Sequence, residues 1–119
     1  MTIISDALVG LVAVFHLYFL VLEMFLWSKP YGRKTFGLTA ERAEATKSLA
    51  ANQGLYNGFL AAGLIWGLCL GAAGLQIKIF FLVCVIIAGI FGAATANRKI
   101  LWVQAVPGAV ALALVLLAR

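Results

Sequence analysis

Residues 16–27 read HLYFLVLEMFLW and lie within an apolar run that is long enough to cross a bilayer. This segment contains His16, the chain's only histidine, and Glu23, seven residues further along. Ionisable side chains at membrane depth are costly, and they usually face a partner or a water-filled cavity. The i, i+7 spacing places both side chains on one face of a helix. His16 and Glu23 are therefore the first candidates for a functional site.

The composition is that of a membrane protein. The chain has 119 residues, enough for one domain, and 65% of them are hydrophobic while only 11% are charged. The net charge is +5, but the basic residues lie in short gaps between apolar runs, as they do in the cytoplasmic loops of membrane proteins. A lipid bilayer is therefore the expected partner, and binding to nucleic acid is not expected.

Four apolar runs predict an all-α integral membrane four-helix bundle that forms a single domain over residues 1–119. Each run approaches the ~20 residues that a helix needs to cross the hydrocarbon. The connections at 71–74 and 97–99 are short, so consecutive helices should be antiparallel neighbours in an up-down-up-down arrangement. The predicted spans cover about residues 3–27, 49–71, 75–96 and 100–118.

Local signals mark the ends of these helices. Ser5 or Asp6 can cap the first span, which should end just before Pro30 because proline cannot continue a helix. Thr39 can cap a short charged helix. No glycine or proline separates that helix from the second span, so the two can form one long helix. Pro107 should kink the fourth span.

Lysine and arginine residues predict the orientation in the membrane. The connection at 28–48 and the corner at 97–99 together carry seven of the nine basic residues. By the positive-inside rule, both connections lie in the cytoplasm and both termini are non-cytoplasmic. Lys78 lies just inside the third span and should extend its ammonium group to the interface.

Polar residues converge on the cytoplasmic half of the predicted bundle. Glu23 lies roughly 6 Å inside the cytoplasmic end of the first span and His16 roughly 16 Å inside it, at ~1.5 Å per residue. The second and fourth spans carry polar residues at similar depth, so we expect one polar pocket that opens to the cytoplasmic half. Its other expected lining residues, which would bind a ligand, are Asn52, Gln53, Tyr56, Asn57 and Gln104.

Simpler explanations of these residues stay open. The amides could form separate hydrogen bonds between helices or lie near the headgroups. Glu23 could extend to the interface or pair with Arg98 or Lys99, and His16 could be a neutral histidine bonded to one neighbour. A zinc site would need three or four ligands. A single axial histidine can hold a haem, but no haem-specific signature is present, so neither a metal nor a cofactor is expected.

Small residues recur every four positions in the second and third spans. Such faces let helix backbones approach closely, either inside one chain or between copies in a homo-oligomer. The three runs are Gly54-Gly58-Ala62, Gly63-Gly67-Gly71 and Ala88-Gly92-Ala96.

Four segments carry a resemblance to a known family. They read HLYFLVLEMFLW (16–27), PYGRKTFGL (30–38), LAANQGLYNGFLAAGLIWG (49–67) and GAATANRKILWVQAVP (92–107). With these segments the chain resembles small bacterial four-span membrane proteins that are classed as a domain of unknown function. The resemblance covers nearly the whole chain and implies a multi-pass protein of the bacterial inner (cell) membrane. It places the candidate residues of the first two spans in the family's characteristic segments, but it implies no activity.

Three functions are compatible with these residues. The first is a membrane enzyme or binding protein for a small, largely apolar molecule, with Glu23 or His16 as acid/base and the amides and Tyr56 orienting a polar group. The second is a small transporter in which Glu23 binds a proton or a cation. The third is a structural or regulatory membrane partner whose polar groups only lock helices together. Whether the chain is an enzyme stays open.

Overall fold

The computed structural model describes residues 2–119, and these residues form five α-helices and no β-strand. The helices are α1 (Thr2–Met24), α2 (Pro30–Phe36), α3 (Ala40–Cys69), α4 (Leu75–Thr95) and α5 (Val106–Ala118). A 3-10 turn, Gly71–Gly74, precedes α4, and a π-helical turn, Leu101–Ala105, precedes α5. The all-helical prediction is confirmed.

Three helical stretches within residues 2–119 are long and apolar enough to cross a membrane. Many of their large apolar side chains are exposed. In α4, Phe80, Ile87 and Phe91 are 61%, 62% and 69% exposed. Extensive exposed apolar surface marks a protein that contacts lipid or partners, and together with the length of these stretches it indicates a membrane protein. The three stretches are Thr2–Met24, Gly71–Thr95 and Leu101–Ala118.

The predicted second span lies in α3 up to Cys69, two residues before its predicted end, and this helix of 30 residues also contains the charged segment before the span. Thr39 caps this helix as predicted, since its Oγ1 accepts a hydrogen bond from the backbone N–H of Arg42 at 3.1 Å. α3 is not one of the three apolar stretches. The reason is that Asn52, Gln53 and Asn57 lower the hydropathy of its middle part. A count of four spans therefore stays a prediction.

The described residues divide into two compact units, and α1 and α3 contribute residues to both. The first unit contains the residues up to Phe15 together with Leu60–Arg119. Its core consists of small and branched apolar side chains from α1, α3, α4 and α5. These core residues are Val9, Val12, Ala13, Ala61, Leu64, Leu82, Val85, Ala111 and Val115.

The irregularity predicted at Pro107 takes the form of the π-helical turn. The backbone N–H of Val106 donates to the carbonyl of Leu101, five residues earlier. Pro107 lies in the first turn of α5 and has no N–H to donate to the turn before it. The wider turn before it relieves the clash that a proline ring makes with the preceding turn of a regular α-helix.

An ion pair between a buried lysine and a partly exposed aspartate joins α1 to α4 in the first unit. The Nζ atom of Lys78 donates to Oδ1 of Asp6 at 3.2 Å, and the Lys78 side chain is only 10% exposed. The prediction that Lys78 extends to the interface is therefore wrong, because a carboxylate on α1 offers it a nearer partner. The prediction that Ser5 or Asp6 caps the first helix is also wrong. Both lie inside α1, where Ser5 Oγ donates to the carbonyl of Thr2 at 3.0 Å.

The second unit, His16–Phe59, contains the end of α1, all of α2 and the beginning of α3. α1 ends at Met24, three residues before the predicted end of the first span. Lys29 is extended, as residues before proline usually are, and Pro30 begins α2. Gly37 then ends α2 in the left-handed conformation, with φ 65°. α2 was not predicted, and it occupies part of the expected connection.

Aromatic side chains link the helices of the second unit. The indole N–H of Trp27 donates to Oγ1 of Thr46 at 3.0 Å, and the centroid of its ring system lies 4.7 Å from the Phe36 ring centroid. The hydroxyl groups of Tyr18 and Tyr31 are hydrogen-bonded to each other. In these contacts an aromatic residue uses its polar group for a hydrogen bond, or its ring for packing, with a residue of another segment. They hold α2 against the ends of α1 and α3.

Substitution of Gly89 on α4 can test how closely this helix approaches the π-helical turn. A Cβ atom added there would lie 2.5 Å from the backbone nitrogen of Ala105, whereas one added to Gly10 on α1 meets nothing within 4 Å. We expect Gly89→Ala to lower the free energy of unfolding by about 1–3 kcal/mol, because backbone must move apart. Gly10→Ala should be neutral or stabilise by up to about 1 kcal/mol, since alanine favours the helix.

Reversible unfolding in mixed detergent micelles measures the free energy of unfolding of both variants and of wild type. Equal stabilities for the two alanine variants would contradict the close approach of α4 to the π-helical turn.

Candidate functional site

Glu23 lies near the end of α1 and is only 5% exposed. Its Oε1 atom accepts a hydrogen bond from the side-chain amide of Asn57 on α3, and the nitrogen and oxygen are 2.5 Å apart. Asn57 is itself 8% exposed. Two of the residues that the sequence placed in one site, 34 positions apart in the chain, are therefore in direct contact.

A close approach of the two helices makes this contact possible. α1 and α3 run antiparallel in the second unit, with Gly54 and Gly58 of α3 against α1. A Cβ atom added to Gly54 would lie 3.1 Å from Glu23 Cβ and 3.2 Å from the carbonyl oxygen of Leu20, and one added to Gly58 would lie 2.7 Å from Leu20 Cδ1. Gly54 and Gly58 therefore pack against another helix of the same chain, which is one of the two roles expected for the small-residue faces.

The charge of Glu23 has no ion-pair partner among the described residues. The ion pairs in residues 2–119 join Lys47 to Glu44 and Lys78 to Asp6 instead. The Asn57 amide donates a hydrogen bond, but it supplies no positive charge. A carboxylate in this position is costly unless it takes up a proton, a cation or a hydrogen-bond donor of a ligand. Among the described residues, Asn57 supplies the side-chain hydrogen-bond donor and no residue supplies the opposite charge.

The other predicted site residues lie in different surroundings. Asn52, Gln53 and Tyr56 are exposed, although they are within one or two turns of Asn57 on α3. The Tyr56 ring packs edge-on against Phe59, with the ring centroids 5.7 Å apart. The structure therefore unites Glu23 with Asn57 and does not bury these three residues beside them.

His16 and Gln104 are both buried. His16 is fully buried and lies edge-on to the Phe19 ring, with the centroids 5.2 Å apart. Gln104 belongs to the first unit, in the π-helical turn, and is 8% exposed. Within residues 2–119, no three histidine, cysteine, aspartate or glutamate side chains cluster closely enough to hold a metal ion.

The Asp6–Lys78 pair was missed because the sequence argument considered depth only for the cytoplasmic half. Asp6 lies near the start of α1 and Lys78 near the start of α4. In an up-down-up-down arrangement these two positions fall at the same end of the molecule. Depth along the helices thus places both charges at a similar level, but their contact depends on how the helices pack.

The whole chain was compared with known proteins. A family model described as "Protein of unknown function (DUF1304)" matches residues 10–116. The chain belongs to this family. It is also similar to the "Uncharacterized protein YpaA" of Lactococcus lactis subsp. lactis (strain IL1403), with 34% identity over 106 residues that cover 87% of this chain and 89% of the relative. No solved structure matches the chain.

The family match spans every candidate residue from His16 to Gln104. The expected membership in a family of unknown function is confirmed, and the relative is bacterial. Neither comparison names an activity, so the function has to be argued from the Glu23–Asn57 contact.

The Glu23–Asn57 hydrogen bond should contribute to the stability of the helix pair. Asn57→Leu leaves a buried carboxylate without its donor, which should lower the free energy of unfolding by about 1–3 kcal/mol or more. The double variant Glu23→Leu, Asn57→Leu replaces both partners by apolar groups and should recover most of that loss. Unfolding of the purified protein in mixed micelles measures these differences.

Asn52→Leu is the matched control, because it makes the same change on the same helix at an exposed position. Its effect should be within about 0.5 kcal/mol of zero. Similar losses for Asn52→Leu and Asn57→Leu would show that the contact with Glu23 contributes nothing specific.

Proposed function

We propose that this protein crosses the bacterial inner (cell) membrane four times as one domain, with both termini non-cytoplasmic, and binds or transforms a small, largely apolar molecule at Glu23. The observation that carries the proposal is the Glu23 carboxylate, which is buried, bonded to Asn57 and without an ion-pair partner among the described residues. Polar groups retained at membrane depth at such a cost are usually functional.

Four spans rather than three are supported by the length of α3. Its 30 residues extend roughly 45 Å, which exceeds the ~30 Å hydrocarbon core. Its second half carries exposed apolar side chains, among them Ile65 and Trp66, that suit contact with lipid. Its first half carries the charges that belong at the cytoplasmic surface by the positive-inside rule, Arg42 and Lys47 among them.

In the proposed site, Glu23 acts as acid/base or as the acceptor for a polar group of the ligand. The Asn57 amide holds one carboxylate oxygen, which leaves the other oxygen for the ligand. A largely apolar molecule would reach this position from the lipid. Its polar group would interact with the Glu23 carboxylate, which has no ion-pair partner among the described residues. The remaining candidates for orienting it in the same unit are His16, Asn52, Gln53 and Tyr56.

The proposal can be tested with the molecules that the protein carries from the membrane. Wild type and Glu23→Gln are purified in a mild detergent, and their organic extracts are compared by mass spectrometry. We expect a small apolar compound that accompanies wild type and falls by roughly tenfold or more in Glu23→Gln, because a charged hydrogen bond is lost while the side-chain shape is kept.

Glu41→Gln serves as the control, since Glu41 is an exposed carboxylate in the first turn of α3. It should retain the compound at the wild-type amount. Identical extracts from wild type and Glu23→Gln would contradict the proposal. If the compound is found, its conversion by wild type in detergent separates an enzyme from a binding protein, since detergent supports no gradient.

A proton- or cation-coupled transporter is the second candidate, and the missing charge partner of Glu23 favours it specifically. Such a protein should move protons across vesicles of phosphatidylethanolamine and phosphatidylglycerol when a potential is imposed, and a pyranine dye inside reports the flux. Glu23→Gln should reduce the flux to that of protein-free vesicles, while Glu41→Gln should not. Equal fluxes with wild type and with protein-free vesicles would exclude this candidate.

A structural or regulatory membrane partner is the outcome that remains if both tests are negative. In that case Glu23→Gln and His16→Ala should change the free energy of unfolding and nothing else.

A further inference from the structure

The first unit contains a cavity of about 430 Å³ next to the Asp6–Lys78 ion pair, and Glu23 and Asn57 are not among its described lining residues. It is formed where α1 and α4 begin and α5 ends. Its polar lining includes Ser5, Asp6, Lys78 and Arg119, and its apolar lining includes Leu75 and Val115. Cavities of 300–1,000 Å³ with an apolar wall and a few converging polar groups are typical of small-molecule sites.

Lys78 is the unusual member of this lining. Its ammonium group has three N–H donors, and its side chain is 10% exposed. Asp6 Oδ1 is its hydrogen-bond partner among residues 2–119, so one donor is satisfied there and two are left for other acceptors. A buried donor without an acceptor is unfavourable, because it has lost its hydrogen bonds to water. The cavity beside Lys78 is the place where acceptors can be supplied.

The backbone around Lys78 is shaped to hold its side chain inward. Gly67 on α3 faces it, and a Cβ atom added to Gly67 would lie 2.6 Å from Lys78 Cγ. The aliphatic stem of the lysine therefore fills the space that the glycine leaves, and the ammonium group is held at the cavity instead of extending to the interface as lysines at helix ends commonly do.

The charges of the cavity favour an anion. Lys78 keeps two N–H donors beyond the one that Asp6 accepts, and the cationic side chain of Arg119 also lines the cavity. We infer that the cavity binds an anionic amphiphile, whose carboxylate or phosphate oxygens accept from Lys78 while its hydrocarbon chain packs on Leu75 and Val115. Such oxygens can come from the carboxylate of a free fatty acid or from the phosphate of an anionic membrane lipid.

This inference is tested with laurate as the probe. The full chain is placed in nanodiscs of phosphatidylcholine, and saturable binding of radiolabelled laurate is measured by scintillation proximity. Unlabelled dodecyl phosphate should compete with laurate. Dodecanol has the same chain without the charge and should compete at least ten times more weakly, because it cannot make the charged hydrogen bond. Competition by phosphatidylglycerol added to the nanodisc identifies the lipid as the source, and its absence identifies the free acid.

The two members of the ion pair should have opposite effects on binding. Lys78→Met removes the donor and should weaken laurate binding about tenfold or more. Asp6→Asn removes the competing carboxylate and should strengthen laurate binding several-fold. An ion pair with a purely structural role would weaken the protein in both variants and strengthen binding in neither.

Two further variants keep the test decisive. If Lys78→Met alone does not fold, the double variant Asp6→Asn, Lys78→Met removes both charges together, and it should fold and fail to bind laurate. Lys47→Met is the matched control, because Lys47 is an exposed lysine paired with Glu44. Absence of saturable laurate binding, equal competition by dodecanol, or equal binding by wild type and the double variant would overturn the inference.

Discussion

The need to satisfy one carboxylate inside an apolar helix constrains the second unit of this protein. Glu23 is buried near the end of α1, and Asn57 on α3 is the group that hydrogen-bonds it. That bond requires the two backbones to lie close together, which Gly54 permits by having no side chain where Glu23 and Leu20 pack. A larger residue at Gly54 would separate the helices and leave the carboxylate without its donor. The Glu23–Asn57 hydrogen bond therefore depends on the glycine at position 54.

Two polar contacts of this protein differ in their balance of charge. Lys78 and Asp6 form an ion pair, so their charges offset each other. Glu23 has only the neutral Asn57, and it retains a net negative charge whenever it is ionised. The first contact has a surplus of hydrogen-bond donors beside a cavity, and the second has a surplus of negative charge. These opposite surpluses favour opposite partners: an anion at Lys78, and a proton, a cation or a donor group at Glu23.

Large apolar side chains form much of the outer surface of α4. Phe80, Ile87 and Phe91 of α4 are exposed, and exposed apolar side chains of this size are favourable in contact with lipid and unfavourable in contact with water. The helices pack through small residues, as Gly89 does against Ala105. Packing of this kind needs no polar atoms. Glu23 and Lys78 are nevertheless buried, and ionisable residues buried in such apolar surroundings are usually functional.

The sequence alone determined the all-helical class, the membrane character and the pairing of Glu23 with the polar stretch of the second predicted span. Those features follow from composition and from the 1.5 Å rise of a helix, which are local properties. Thr39 as a cap and the fusion of two segments into α3 were also readable, because capping and the absence of glycine or proline act within a few residues. α2 was not predicted, although Pro30 at its start and Gly37 at its end are local signals of the same kind.

Only the tertiary structure decided which polar residues meet. Of the four polar residues between positions 52 and 57, Asn57 turns toward Glu23, while Asn52, Gln53 and Tyr56 are exposed. Helical spacing shows that neighbouring positions differ in direction, but it does not show which direction the other helix occupies. The burial of Lys78 against Asp6 depends likewise on a contact between residues 72 positions apart. Such contacts arise from the packing of whole helices, and no local pattern in the sequence encodes them.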